Sequence, residues 1–273
     1  MREAKPGHGK RKLVWKAIRG SAVAVMLILL PPNALAQGGP PLITDDPDTP
    51  GPGYWEINLA SIVEKARSDR RLEAPLADIN YGLGQRIQLK FEIPWLNVRE
   101  PGEAVHTGLG NSNSGVKWRF LGEEGQRIAW AIYPQVEVNT GRVMAEKGLV
   151  NDGSRFLLPT ELTIQISRVE INGEVGRNFV QKGDDGWIFG LATEIEFDRG
   201  LELVGELSGE QSGTSPADLI VNAGFRKRMT RQLVLLTAAG SGVRGPTAER
   251  PQLRLYMGLQ VNLPYQYSLS TSP

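Results

Sequence analysis

From Ile87 to Ile93 the chain reads Ile-Gln-Leu-Lys-Phe-Glu-Ile, apolar at every odd position and amide or charged at every even one. A period of two puts successive side chains on opposite faces of a β-strand. The pattern returns along the chain in runs of roughly ten residues between turn signals. These runs predict strands over about 54–66, 71–81, 87–95, 116–120, 128–138, 156–166, 169–179, 187–197, 201–207, 219–225, 233–240 and 253–259. The second run changes phase near Pro75. Twelve is an even count, as a bacterial outer-membrane barrel requires, and ten or fourteen strands also fit.

The connections alternate in length. Gly82 to Gln85, Gly122 to Gln126, Ser167 to Arg168, Asp198 to Gly200 and Met229 to Gln232 are short. The intervening ones, notably Val98 to Ser114, Thr140 to Arg155, Gly209 to Pro216 and Ser241 to Arg250, are longer. Outer-membrane barrels keep short turns in the periplasm and long loops outside. A soluble sandwich has no reason to alternate. The expected fold is therefore all-β, an antiparallel transmembrane up-and-down β-barrel spanning 54–261. Trp55, Tyr81, Trp95, Trp118, Trp130 and Trp187 fall in or at the ends of these strands, where interfacial girdles belong.

Residues 1–36 change the charge balance. A basic stretch, the apolar run Ala22 to Leu30 and the small-residue pattern Ala34-Leu35-Ala36 have the order of a cleavable secretory signal, cut before Gln37. The apolar run is about nine residues, against the roughly 20 that span a bilayer as a helix. Removing seven bases and one acid leaves 24 basic and 29 acidic residues, and the formal charge moves from +1 to −5. No basic surface remains for nucleic acid. With 0 cysteines there is no disulfide framework and no thiolate metal site. The 32 glycines and 18 prolines sit mostly between runs, as many short strands joined by turns demand.

The polar faces carry the candidate chemistry. On this register Glu56, Lys90, Glu92, Lys117, Arg119, Glu137, Glu161, Glu174, Glu194, Glu202, Glu206 and Arg254 face inward as pore-lining candidates. A Lys or Arg at the lipid-facing midplane costs about 2–4 kcal/mol, so such a face sees water or ion-pair partners. Rings of charged side chains set selectivity in a channel, and the excess of glutamate points to mild cation preference. Alternatively Lys90, Lys117, Arg119 and Arg254 pair with the glutamates and close the lumen. Twelve strands lie between the barrel of about 8 that its side chains fill and the 16 to 18 of a wide channel.

Catalysis finds little support. His106 is the one histidine after residue 36, in the long second external connection near Ser112 and Ser114, and no Gly-x-Ser-x-Gly elbow occurs. Asp45, Asp46 and Asp48 lack the later ligands of a calcium loop, and Pro47 and Pro50 to Pro52 interrupt the spacing. The segment 37–53 is expected as an irregular periplasmic lead-in that folds into or under the mouth and gates it. No cofactor and no metal are expected.

Pro41-Leu42-Ile43-Thr44-Asp45-Asp46-Pro47 leads into Gly53-Tyr54-Trp55-Glu56-Ile57-Asn58. Asn80-Tyr81-Gly82-Leu83-Gly84, Ile93-Pro94-Trp95 and Gly115-Val116-Lys117-Trp118-Arg119-Phe120 follow. In these motifs the chain resembles the proteobacterial "MetA-pathway of phenol degradation" family of outer-membrane transporters. The resemblance implies passage of small organic solutes, aromatic ones included. It also implies outer-membrane lipid, lipopolysaccharide and the barrel assembly machinery as partners. The final run departs from the usual pattern: it stops near Val261, and the polar tail 262–273 follows instead of a terminal aromatic.

Overall fold

The computed structural model describes residues 39–264 except 124–125, 199 and 247–249. The expected signal in 1–36 and the tail beyond Pro264 lie outside the described residues. The first strands are β1 (Tyr54–Lys65), β2 (Arg70–Leu83), β3 (Ile87–Arg99), β4 (His106–Leu109) and β5 (Ser112–Leu121). Next come β6 (Ile128–Ile132) and β7 (Gln135–Val138), a short helix α1 (Arg142–Glu146), β8 (Arg155–Ile166) and β9 (Val169–Val180). The chain finishes with β10 (Gly186–Asp198), β11 (Leu201–Ser212), β12 (Asp218–Arg228), β13 (Leu233–Arg244) and β14 (Leu253–Pro264).

Every pairing is antiparallel, and the sheet closes where β1 meets β14 from Tyr54↔Pro264 to Lys65↔Leu253. Closure leaves the wall no free edge. The barrel has twelve staves, because β6 and β7 form one stave, and β4 and β5, which follow each other along the same edge of β3, form another. Pro134 explains the split: it has no N–H to give the ladder. The wall stays joined by the Tyr133 N–H to the Pro159 carbonyl and the Val116 N–H to the Pro134 carbonyl. The connection after β3, expected as a loop, instead carries β4, which puts His106 opposite Val98.

The twelve predicted runs all become strands, and most extend further toward the long-loop end, as in β3 to Arg99 and β13 to Arg244. The outer face is apolar and open, with Leu59 at 50% exposure, Leu191 at 54% and Met257 at 64%. Aromatics band both ends of it. Trp55 and Tyr81, 4.7 Å apart, join Trp118, Phe120 and Trp130 toward the short turns. Trp95, Trp187 and the stacked pair Phe156 and Phe179 lie toward the long loops.

The interior is not uniformly polar. Ala60, Ile62, Leu76, Leu236, Ala238 and Tyr256 form a buried apolar strip on β1, β2, β13 and β14, with Val234 packed against it. Leu76 turns inward because β2 shifts register between Glu73 and Leu76. That bulge is where the alternation changes phase in the sequence.

Candidate functional site

The lumen holds a segment of its own chain. Residues 39–50 lie inside the barrel without forming a strand, anchored at three levels. At the short-turn end the Gly53 N–H donates to the Gly82 carbonyl and Thr49 Oγ1 reaches the Gln85 carbonyl at 3.3 Å. Gly82 is required here: a Cβ would stand 1.7 Å from the Gly51 carbonyl oxygen. Arg119 binds Asp48 at 2.6 Å and also donates to the Gln85 carbonyl.

At mid-height Lys117, 1% exposed, binds Asp45 at 2.8 Å, donates to the Asp46 carbonyl and lies 3.3 Å from Glu161. Across the lumen the Glu206 carboxylate accepts the Ile43 N–H at 2.8 Å and the Thr44 N–H at 2.7 Å. A Cβ on Gly190 would stand 2.2 Å from Thr44 Oγ1, so this glycine is the notch in which Thr44 sits. Leu42 packs on Ala192 and Val204.

The segment then turns back toward the short turns. Arg226 donates to the Gly39 and Pro40 carbonyls, each at 2.9 Å, while binding Glu194 and, at 2.9 Å, Glu202. Burial tends to raise the Asp45 carboxyl. Lys117 and Lys90, with hydrogen bonds from Lys117 and the Asp46 N–H, outweigh it and hold the group below its usual range. Burial dominates at Asp46 and lifts it well above that range. The geometry follows the same order, with Lys117 at 2.8 Å from Asp45 and 3.9 Å from Asp46.

The sequence-derived candidates are distributed around this segment. Lys117, Arg119 and Glu206 grip it directly, and Glu174 accepts the Asp45 N–H at 3.2 Å. Glu161, Glu194 and Glu202 hold the cations that do the gripping. Lys90 pairs with Asp78 and Glu92, Arg254 with Glu64, and Glu137 with Arg155 at 2.6 Å. Glu56 accepts from Asn58. Sequence reasoning passed over Asp78, Arg226 as an anchor, and Tyr133, which is fully buried against Lys117. His106 lies 3.0 Å from Lys147 and 3.5 Å from Glu103, while the Ser112 hydroxyl bonds to Thr140. The long connection thus assembles no Ser–His pair.

Space remains around the segment. Toward the long loops a cavity of about 490 Å³ has Ile43 and Asp45 at its floor. A second, of about 280 Å³, runs down beside the segment along Ile62, Leu76 and Tyr256. Ile43, Asp45 and Lys90 line both. A third, of about 80 Å³, opens at the short turns between Arg226 and Val234. Among the described residues, no group of three or more acidic or histidine side chains is arranged to hold a metal ion.

No family model matches the chain, and no curated protein matches it. Solved structures do. An outer membrane channel from Pseudomonas putida F1 is 11% identical, with a TM-score of 0.64 over 83% of this chain and 100% of that one. The NanC porin is 6% identical, with a TM-score of 0.56 over 76% and 100%. The KdgM porin is 10% identical, with a TM-score of 0.52 over 76% and 98%. At these identities the likeness is one of fold: a closed antiparallel barrel of the outer-membrane kind.

Proposed function

We propose that this protein is a passive outer-membrane channel of a Gram-negative bacterium, carrying a small organic solute, with residues 39–50 as a plug that narrows it. The observation that carries the reading is the way the lumen is filled. A tethered segment fills the short-turn half, where a closed barrel would use wall side chains, and cavities run along one side of it. The apolar outer belt and its aromatic bands suit lipid. The short turns face the periplasm and the long loops face outward, which brings the plug in from the periplasmic side.

The interior apolar strip beside a charged wall suits a solute with an apolar body, aromatic compounds included. This agrees with the resemblance to the phenol-degradation family, whose membership is part of the proposal. Outer-membrane lipid, lipopolysaccharide and the assembly machinery are the partners such a barrel needs. A closed barrel with no through-path is the second reading, favoured by the ion pairs that Lys117, Arg119 and Arg226 make across the lumen. Single-channel conductance of the refolded chain in a planar bilayer, with reversal potential in a salt gradient, separates the two. Cation-preferring steps support the channel, and silence from a correctly folded barrel supports the closed form.

A further inference from the structure

We infer that the outward face of β1, β2 and β3 at the long-loop rim binds the phosphorylated headgroup of lipid A, the membrane anchor of lipopolysaccharide. The inference rests on the outer-membrane orientation proposed above and deepens it, by giving one lipid partner a site. That site lies on the wall, outside the lumen.

Lys65 ends β1, Arg70 opens β2 and Arg99 ends β3. The ladders set Lys65 opposite Arg70 and Arg70 opposite Arg99. One residue further along each stave, Glu64, Arg71 and Val98 form the lumen-side row. The three cations therefore share the outward face, and all three are exposed. Opposed residues on one face of a ladder have Cβ atoms about 5 Å apart, and like charges so placed repel. Among the described residues none of the three is ion-paired. Asp69 and Glu100 adjoin the row in the chain, yet neither is paired to it, and Asp69 accepts from the Ser68 hydroxyl at 2.9 Å. Other cations of this rim are neutralised: Arg177 has Asp185 at 3.6 Å and Lys182 has Asp152 at 2.6 Å. Two arginines and a lysine on adjacent staves are a phosphate receptor, the guanidiniums binding bidentately and the ammonium as a point charge.

What lies beneath the cations makes the anion a lipid's. Toward mid-wall on the same face the next row is Leu255, Val63, Leu72 and Asn97, and the one after it carries Met257 and Trp95. Trp95 belongs to the aromatic band that marks the edge of the hydrocarbon. Arg99 stands four residues beyond it, roughly 13 Å along the strand, at the level of the headgroups. Acyl chains can lie on Leu255, Val63 and Leu72 while the phosphates meet the row above. With the long loops facing outward this is the outer leaflet, whose phosphorylated lipid is lipid A.

The test is titration of the folded wild-type barrel in non-ionic detergent with diphosphoryl lipid A, its dephosphorylated form and phosphatidylglycerol, with bound lipid counted by native mass spectrometry. Diphosphoryl lipid A is expected to bind at least about tenfold tighter than the dephosphorylated form. Arg70→Gln with Arg99→Gln should remove that margin. Arg177→Gln with Lys182→Gln takes the same charge from paired cations and should leave the margin within about twofold. Equal binding of the two lipid A forms, or an equal loss in both double variants, would overturn the inference. So would phosphatidylglycerol binding as tightly as lipid A, or displacement of lipid A by inorganic phosphate, which would assign the row to any phospholipid or to a free anion. The wild-type preference reads out even where a variant fails to fold. Phosphate-selective binding by a barrel that never conducts leaves this site intact and refutes only the channel reading. Conductance without that selectivity does the reverse.

Discussion

The two halves of the lumen solve the same problem in opposite ways. In the half nearer the short turns, Lys117, Arg119 and Arg226 each face a carboxylate within hydrogen-bond reach, and the plug brings two of those carboxylates, Asp45 and Asp48. In the half nearer the long loops a cavity of about 490 Å³ stays open, with Leu157, Ile188, Phe189 and Ile220 among the residues that line it. The staves are the same. A barrel of twelve staves is too wide for its own side chains to fill, so a segment borrowed from the N-terminus fills one half while the other half stays open.

The contrast can be broken most strongly from the filled side. Lys117→Met removes the cation that lies 2.8 Å from Asp45 and 3.3 Å from Glu161, leaving a buried acid uncompensated. A loss of about 3–5 kcal/mol is expected, read as the urea midpoint of the folded barrel in detergent. A methionine variant as stable as wild type would mean the network is not structural. Leu236→Ala, at a side chain with 0% exposure in the apolar strip, is expected to cost about 2–4 kcal/mol. Ile188→Ala, on the cavity wall of the open half, should cost only about 1 kcal/mol, because the cavity is already there. Equal costs would erase the distinction between the halves.

Gly190→Ala sharpens the comparison by pushing on the plug alone. The new methyl occupies the place of Thr44, so the segment should lift from its notch with the wall intact. Faster proteolysis within residues 39–50 at unchanged wall stability is the expected sign; unchanged protection would mean Thr44 is not seated there. At the small end, Glu137→Gln at the half-exposed pair with Arg155 should change stability by no more than about 1 kcal/mol. His106→Ala should stay within about 0.5 kcal/mol. A large effect of His106→Ala on any hydrolytic assay would reopen catalysis.

The barrel was legible because lipid outside and polar groups inside impose a strict period of two, which the chain writes out most clearly at Ile87 to Ile93 and Leu253 to Leu259. The plug was only half legible. Asp45, Asp46 and Asp48 among prolines marked an irregular acidic segment near the mouth. Nothing in their spacing identifies Lys117 and Arg119, some seventy residues away, as their partners, because closure of the barrel makes that contact. The apolar strip was hidden for a different reason. Val234 and Leu236 sit in the run Leu233-Val234-Leu235-Leu236, where both faces are apolar and alternation is silent. At Leu76 the bulge after Glu73 reverses the inward phase that the preceding residues suggest. Asp78 was overlooked through that same shift.

Deleting residues 37–52 tests the central claim most directly, since it empties the filled half without touching a stave. Single-channel recordings of the refolded wild-type and deleted barrels should differ by a several-fold rise in conductance. Identical conductance in the two proteins, with both barrels correctly folded, would contradict the plug.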